Sequence, residues 1–385
     1  MTIYLDHAAT TPINSAALDA LNEQVKKLGN ASSVHNQGRS VRKDVEDARH
    51  KLSELIGCNP GEIIFTGSGT EANNLAIKGF FWQSGKKLIV TSAFEHHAVL
   101  DPIEWLVEHQ GAEVIYIPIK SGGFIDLDFL KGVVAKRGGE IALISIMHSN
   151  NELGSIQPIK EVVEIAGEIP VHTDAVQSFG KIDFNFKELG VAAATVSAHK
   201  VGGPLGVAAL VLKHGIDLAP LLHGGGQERE IRSGTLNAPA IVSFAAGANL
   251  ALENRAKNFE QIRKLRDLLI SEIKKAIPDV VINSPTDPAL PGTVNISIPG
   301  TESDALLLLL DSEGISASAG SACSAGVPRP SHVLIALGLP EELADASLRI
   351  TIGASNTESE INTFAKVLPS VVERARNAFA VGKLS

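Results

Sequence analysis

The strongest constraint on this chain is an alternation. From about residue 40 to residue 215, short and continuously apolar runs alternate with amphipathic stretches long enough to form a helix. The apolar runs are Ile63–Thr66, Leu88–Thr91, Glu113–Ile117, Ile141–Met147, Pro170–Thr173, Ala194–Ser197 and Val207–Leu212. Ahead of them Val41, Val45, Ala48, Leu52 and Leu55 recur at helical spacing. Strands that are apolar throughout are buried on both faces, and intervening helices supply the cover. The pattern therefore predicts an α/β fold, with a large domain built on a mostly parallel sheet flanked by helices. Beyond Pro239 the pattern changes. Ala240–Ile277 predicts one long helix, with Ile262, Leu265, Leu268, Leu269 and Ile273 on one face. Strand-like Thr293–Ile298, helical Asp304–Ser312, strand-like Leu348–Ile352 and a helix over Glu358–Ala378 follow, as expected of a smaller α+β domain. The expected division is residues 15–252 for the large domain and 253–385 for the small one. Segment 1–14 is expected to pack near the small domain, with a hinge near residue 253.

Composition excludes several classes of function. The 385 residues suffice for a large domain plus a smaller one. Lys and Arg number 34 against 43 Asp and Glu, a formal charge of −9 with no basic run, so no footprint for nucleic acid is expected. Stretches such as Ile141–Met147 and Ala305–Leu310 fall far short of the roughly 20 apolar residues a membrane span requires. The opening MTIYLDHAATTP has neither a basic nor an apolar leader region, so no signal peptide is expected. Cys58 and Cys323 are the two cysteines, and no CxxC is present. That usage fits free thiols in a reducing compartment, the cytoplasm, and argues against a structural zinc or cluster site.

Four motifs carry chemistry. In Phe65-Thr66-Gly67-Ser68-Gly69-Thr70-Glu71 a strand runs through a small-residue turn into a helix. Free amides and the dipole at such a helix start suit a phosphate. A plain tight turn is an equal alternative; a Walker A loop is excluded, and the acid that a dinucleotide fingerprint requires is missing. In Val171-His172-Thr173-Asp174 a strand delivers a carboxylate at its C-terminal end, as a ligand contact or as a helix cap. In Ser197-Ala198-His199-Lys200, again at a strand end, the lysine is either a Schiff-base amine or a solvated side chain. A phosphate cradle, an acid and a lysine, each at a strand end, are together what pyridoxal 5'-phosphate requires. The fourth motif is the run Ser316–Gly326, in which Cys323 is surrounded by Ser, Ala and Gly alone. A segment with no bulky anchor is expected to move, which suits a nucleophile that visits two places. Cys58 follows an apolar helix and reads as structural. Glu95-His96-His97 places a histidine that could stack on a flat cofactor, or two ordinary surface residues. Arg349 lies within an apolar strand and needs an anion, either a substrate carboxylate or a structural Asp or Glu.

With these motifs assembled, the chain resembles the cysteine desulfurases of the NifS/IscS branch, in the class V group of fold type I pyridoxal-phosphate enzymes. The resemblance runs from Tyr4-Leu5-Asp6-His7-Ala8-Ala9-Thr10-Thr11-Pro12 through Gly29–Ser33, Met147–Glu152 and Arg232-Ser233-Gly234-Thr235 to Gly320-Ser321-Ala322-Cys323. It implies that Lys200 binds the cofactor aldehyde, Asp174 pairs with the ring nitrogen, Gln177 bonds the ring oxygen and His96 stacks on the ring. Gly69, Thr70, Ser197 and His199 would hold the phosphate. Thr235 would reach the phosphate of the other subunit, which implies a homodimer. Asn151 and Arg349 would hold the carboxylate of L-cysteine, and Cys323 would accept its sulfur for delivery to an acceptor protein of the scaffold or thiolation type. His7 departs from the Tyr or Asn that many relatives carry. The chain also stops soon after its last predicted helix, without the longer tail that housekeeping members use to dock a cluster scaffold. The acceptor and its pathway are thus left open. A selenocysteine lyase, a sulfinate desulfinase and a class V aminotransferase are the alternatives within the class. A nicotinamide dehydrogenase or a sulfur-relay protein would need neither Lys200 nor Asp174.

Overall fold

The computed structural model describes residues 2–319 and 330–382. Its strands are β1 (Ile3–Tyr4), β2 (Ile63–Thr66), β3 (Leu88–Ser92), β4 (Glu113–Ile117), β5 (Ile119–Lys120), β6 (Phe124–Ile125), β7 (Ile141–Ser145), β8 (Val171–Asp174), β9 (Ala193–Ser197), β10 (Ala208–Leu212), β11 (Val281–Ile282), β12 (Thr293–Ser297), β13 (Ile315–Ser316) and β14 (Ser347–Thr351). Seven form the central sheet in the order β2-β10-β9-β8-β7-β3-β4. β10 runs antiparallel to both of its neighbours, and every other pairing is parallel. The fold class expected from the continuous apolar runs is therefore the one observed.

Both faces of this sheet are buried. In β2, Ile63 and Phe65 join one apolar cluster while Ile64 joins another on the opposite face. Helices Asn36–Ile56 and Ala238–Glu253 pack on the first face, through Val41, Val45, Leu52, Ile241 and Phe244. Helices Gly69–Ser84 and His97–Gln110 cover the other through Leu75, Ile77, Val99 and Ile103. Because six of the seven strands point the same way, their C-terminal ends share one edge, where open α/β sheets place ligands.

The expected long helix over 240–277 is instead two helices, Ala238–Glu253 and Arg255–Ala276, meeting at Asn254. Apolar periodicity continues across the break. The Asn254 side-chain amide donates to the Leu250 carbonyl at 2.9 Å, the kind of local competition with the backbone ladder that turns a helix. Past this point a second apolar core gathers Leu269, Ile273, Val294, Ile350, Phe364 and Leu368 around the antiparallel sheet β11-β12-β14. Ile3 and Leu5 join it, since β1 pairs with β13. No helix among the described residues is long and apolar enough to cross a membrane.

The outer edge of β2 is closed by a buried ion pair. Arg49 places its two terminal nitrogens 3.0 and 2.6 Å from the two carboxylate oxygens of Glu228. Arg49 also donates to the Ile63 carbonyl at 2.7 Å, and Glu228 accepts from the Phe65 amide at 2.7 Å. The pair thus satisfies edge groups that would otherwise be open to strand addition. Arg49→Met strands a buried carboxylate and the Ile63 carbonyl. The expected loss is about 3–5 kcal/mol of stability, read as a lower denaturation midpoint. A change under 1 kcal/mol, roughly the worth of an exposed pair, would mean that the pair is solvated.

Candidate active site

The turn after β2 enters the helix Gly69–Ser84, whose N-cap Ser68 accepts from the Glu71 amide at 3.1 Å. Glu71 returns a carboxylate oxygen to the Gly67 amide at 2.7 Å. The amides of Gly69 and Thr70 have no partner among the described residues. A Cβ on Gly69 would stand 3.2 Å from Val176 and 3.8 Å from the Ser197 Cβ, so the helix start lies directly against the ends of β8 and β9. Glycine permits this approach, and the first-turn amides are aimed at the sheet edge.

Asp174 ends β8, buried, with its carboxylate held from two sides. Asn73 donates to one oxygen at 2.7 Å and the Val176 amide to the other at 2.9 Å. The second contact closes a turn: no helix starts directly after Asp174, so it is not the helix cap that the sequence offered as one reading, and the first contact comes from the cradle helix and was not foreseen. Its sequence signal is spacing, since Asn73 sits one helical turn after Gly69. Ser197 ends β9, buried, and Lys200 follows in a short turn. The Lys200 amine donates to the carbonyls of Ala8 and Ala9, the latter at 2.6 Å. Desolvation, then the nearby Arg349 charge, pulls its pKa down to about 8. Burial lowers His199 to about 4, so the Nδ1 that meets the Thr10 hydroxyl at 3.2 Å belongs to a neutral ring.

His96 caps the helix His97–Gln110, accepting the Ala98 amide at 3.0 Å through Nδ1, which leaves its ring open to the cleft. Beneath it lies Glu95, fully buried and bonded to the Ser92 hydroxyl at 2.6 Å and the Met147 amide at 2.9 Å. Gln177 donates to the Ala8 carbonyl at 2.9 Å. Arg349, on β14, pairs with Asp6 at 2.8 Å, which supplies the structural acid that the sequence offered as one of two readings. Its Nε nevertheless remains buried without a partner, as does the Asn151 side-chain oxygen, and Nη1 meets the Asn151 carbonyl at 3.3 Å. Thr235 is exposed; its loop is pinned beside the cradle by Arg232, whose Nε lies 2.6 Å from Glu71. Cys323 lies outside the described residues. Cys58 is buried, with burial raising its thiol to about 12, as a structural cysteine should be.

These groups fit pyridoxal 5'-phosphate. Unsatisfied amides stand at the cradle, a buried carboxylate and a desolvated lysine sit at adjacent strand ends, and two orphaned polar atoms lie on the Arg349 side. A cavity of about 400 Å³ also touches Lys200, with His7, Lys181, Phe259 and Gly353 among its lining residues; the cradle residues and Asp174 do not line it, so it is a space apart from the cradle.

Burial raises the Glu95 carboxyl from 4.5 to about 8. Between those values the folded chain keeps a proton that the unfolded chain has lost, so stability falls as pH rises through the window. Glu95→Gln is expected to flatten that fall in the cofactor-free protein between about pH 5 and 8, measured by denaturant titration at several pH values. A variant whose stability tracks pH as steeply as the wild type would show that Glu95 is ionised in the fold.

Residues 3–364 match the family described as Aminotransferase class-V. An IscS-like cysteine desulfurase of Mycobacterium tuberculosis is 44% identical over 383 residues, covering 97% of each chain. The solved structure of a NifS-like protein matches with a TM-score of 0.90 at 34% identity, over 97% of this chain and 100% of that one. A structure described as SspA in complex with cysteine matches at 0.80 and 33% identity, over 92% of this chain and all, 100%, of that one. A fold, a strand-edge site and relatives of nearly equal length agree, and the chain belongs to the class V aminotransferase family, in its NifS/IscS branch of cysteine desulfurases.

Proposed function

We propose that the chain binds pyridoxal 5'-phosphate on Lys200 and moves the sulfur of L-cysteine onto Cys323, from which an acceptor protein of the scaffold or thiolation type collects it. One observation carries this reading. The start of helix Gly69–Ser84, the Asp174 carboxylate and the Lys200 segment converge on the ends of two paired parallel strands, β8 and β9. The likeness to a protein solved in complex with cysteine supports the substrate.

Bound at this edge, the cofactor supplies an electron sink that makes the α-proton of an amino acid removable and weakens its bond from Cβ to sulfur. The residues do the rest. Gly69, Thr70, Ser197, His199 and a partner subunit's copy of Thr235 would hold the phosphate, and the exposure of Thr235 suits contact with a second copy in a homodimer. Asp174, oriented by Asn73, would hold the proton on the ring nitrogen, and Gln177 would bond the ring oxygen. His96 would cover the ring face. Asn151 and Arg349 would take the substrate carboxylate, with Asp6 fixing the guanidinium from behind. Lys200, with its lowered pKa, would accept the α-proton as its neutral amine and return it as the ammonium. The Cys323 thiolate would attack the substrate sulfur. The carbon–sulfur bond breaks and a sulfur–sulfur bond forms, so L-cysteine and a thiol become L-alanine and a persulfide, with no external oxidant or reductant. Residues 15–252 would then form the cofactor domain and 253–385 the domain that brings Arg349 and Cys323 to it. Such a thiol works in a reducing compartment, and we place the enzyme in the cytoplasm.

Borohydride reduction of the loaded protein, followed by peptide mapping, is expected to put the pyridoxyl group on Lys200; recovery on another lysine would defeat the assignment. Cys323→Ser is expected to retain cofactor and bind L-cysteine yet release alanine at least a hundredfold more slowly, roughly, because a hydroxyl is a poor nucleophile at neutral pH. Cys58→Ser should keep most of the activity, as its thiol is held protonated. Alanine release and persulfide labelling of the two variants side by side decide the point, and the reverse ranking would exchange the roles.

A further inference from the structure

Lys181 is a half-buried lysine, facing a cavity, that the reading above does not use. It lies four residues after Gln177, at the end of a turn in which the Ser178 amide bonds the Ala175 carbonyl and the Lys181 amide bonds that of Ser178, both at 3.0 Å. Gly180 makes the turn possible: its φ is +78°, and a Cβ there would stand 2.8 Å from Val201, the residue after Lys200. The turn is thereby pressed against the Lys200 segment. The Lys181 amine lines the cavity beside Lys200 and donates to the Gln177 side-chain oxygen at 2.8 Å.

The groups facing Lys181 are of one sign or neutral. Lys200 and Arg349 act on it as like charges, and the neutral rings of His7 and His199 feel its charge in turn. Among the described residues no carboxylate pairs with it. Desolvation, with those like charges, lowers its pKa to about 7. A lysine in such a place costs stability that methionine or leucine would not. Among the described residues its side chain hydrogen-bonds Gln177.

That bond has a directional consequence. An ammonium group can only donate, so the Gln177 amide must turn its oxygen toward Lys181. Its nitrogen then faces the opposite way, where it donates to the Ala8 carbonyl at 2.9 Å, the same carbonyl that receives the Lys200 amine. A side-chain amide nitrogen carries two hydrogens, so one remains for another acceptor. We propose that Lys181 is a positioning residue, which locks the Gln177 amide so that its free N–H faces the cofactor's ring oxygen beside Lys200. This inference rests on the reading of Lys200 and Gln177 given above. Without Lys181 the amide oxygen loses its partner, and the Ala8 carbonyl alone is left to set the amide's direction.

The test is a double-substitution cycle on the loaded enzyme with Lys181→Met, Gln177→Leu and the pair, read by two properties other than turnover. The first is the dissociation constant for pyridoxal 5'-phosphate. The second is the pH midpoint of the visible absorbance of the lysine-bound cofactor. Lys181→Met is expected to weaken cofactor binding about fivefold, the worth of one net hydrogen bond, and to raise the midpoint, because a neighbouring positive charge and a bond to the ring oxygen are both lost. Adding Gln177→Leu should change little further, since both substitutions remove the same contact. Lys181→Arg, which keeps a permanent donor, should hold the midpoint near that of the wild type. Additive effects, or an unmoved midpoint in Lys181→Met, overturn the proposal. If Lys181→Met does not fold, Lys181→Gln enters the same cycle under the same criteria. Absence of a reducible adduct on Lys200 in the wild type would defeat the underlying reading; a normal adduct with no coupling would defeat this inference alone.

Discussion

The site is governed by the burial of positive charge at the edge of an apolar sheet. The Arg349 charge depresses both Lys200 and Lys181, Lys200 depresses Lys181 further, and few carboxylates stand near them. Asp6 answers Arg349, Asp174 stands at the end of β8, and the backbone supplies the rest through the carbonyls of Ala8 and Ala9. Desolvated cations demand such partners. Segment 6–12 must therefore cross the C-terminal ends of the strands, and it is fixed at both ends. The Thr351 amide bonds the Leu5 carbonyl at 2.7 Å, while the Thr11 amide bonds the His199 carbonyl at 3.1 Å.

That segment also joins the two cores. Ile3 and Leu5 belong to the apolar cluster around β14, whereas Ala8 serves residues on the central sheet. A buried His7 sits between the two, its Nδ1 2.9 Å from the Thr11 hydroxyl. The ring has space because residue 353 is glycine, where a Cβ would stand 2.3 Å from the imidazole. The histidine that departs from the family pattern is thus matched by local packing. Burial holds its pKa down to about 4, so it adds no further charge to a crowded edge.

The large sheet was legible because continuous apolar runs have few alternatives: Ile63–Thr66 and Glu113–Ile117 form strands with the bounds expected. The placement of Asp174 and Ser197 at strand ends, with Lys200 in the turn that follows, was legible because each motif ends an apolar run. What escaped were partners separated in sequence. Nothing near Asn73 announces a carboxylate 101 residues away, and nothing near Arg49 announces Glu228. Lys181 was hidden in a turn that reads as ordinary surface. Helix 240–277 was misjudged for a different reason: apolar periodicity records which face is buried and does not register a one-residue break at Asn254, whose side-chain and backbone amides share the Leu250 carbonyl.

The neighbourhoods of Arg349 and Asn151 also govern the two ends of the segment that bears Cys323. Ser318 exchanges both backbone hydrogen bonds with Arg349, at 3.2 and 2.6 Å, and the Ser347 hydroxyl donates to the Ala319 carbonyl. On the far side the Ser331 hydroxyl donates to the carboxylate of Glu152, the residue after Asn151. His332 then reaches back to the Glu95 carbonyl at 2.9 Å, beside His96. Both described ends of the nucleophile's segment are therefore held by neighbours of the groups assigned to the substrate carboxylate. A substitution that shifts β14 moves the carboxylate anchor and the stem of the cysteine segment together. Under the proposed roles, substrate position and nucleophile delivery share one mechanical base, although Arg349 and Cys323 are separated by more than two dozen residues.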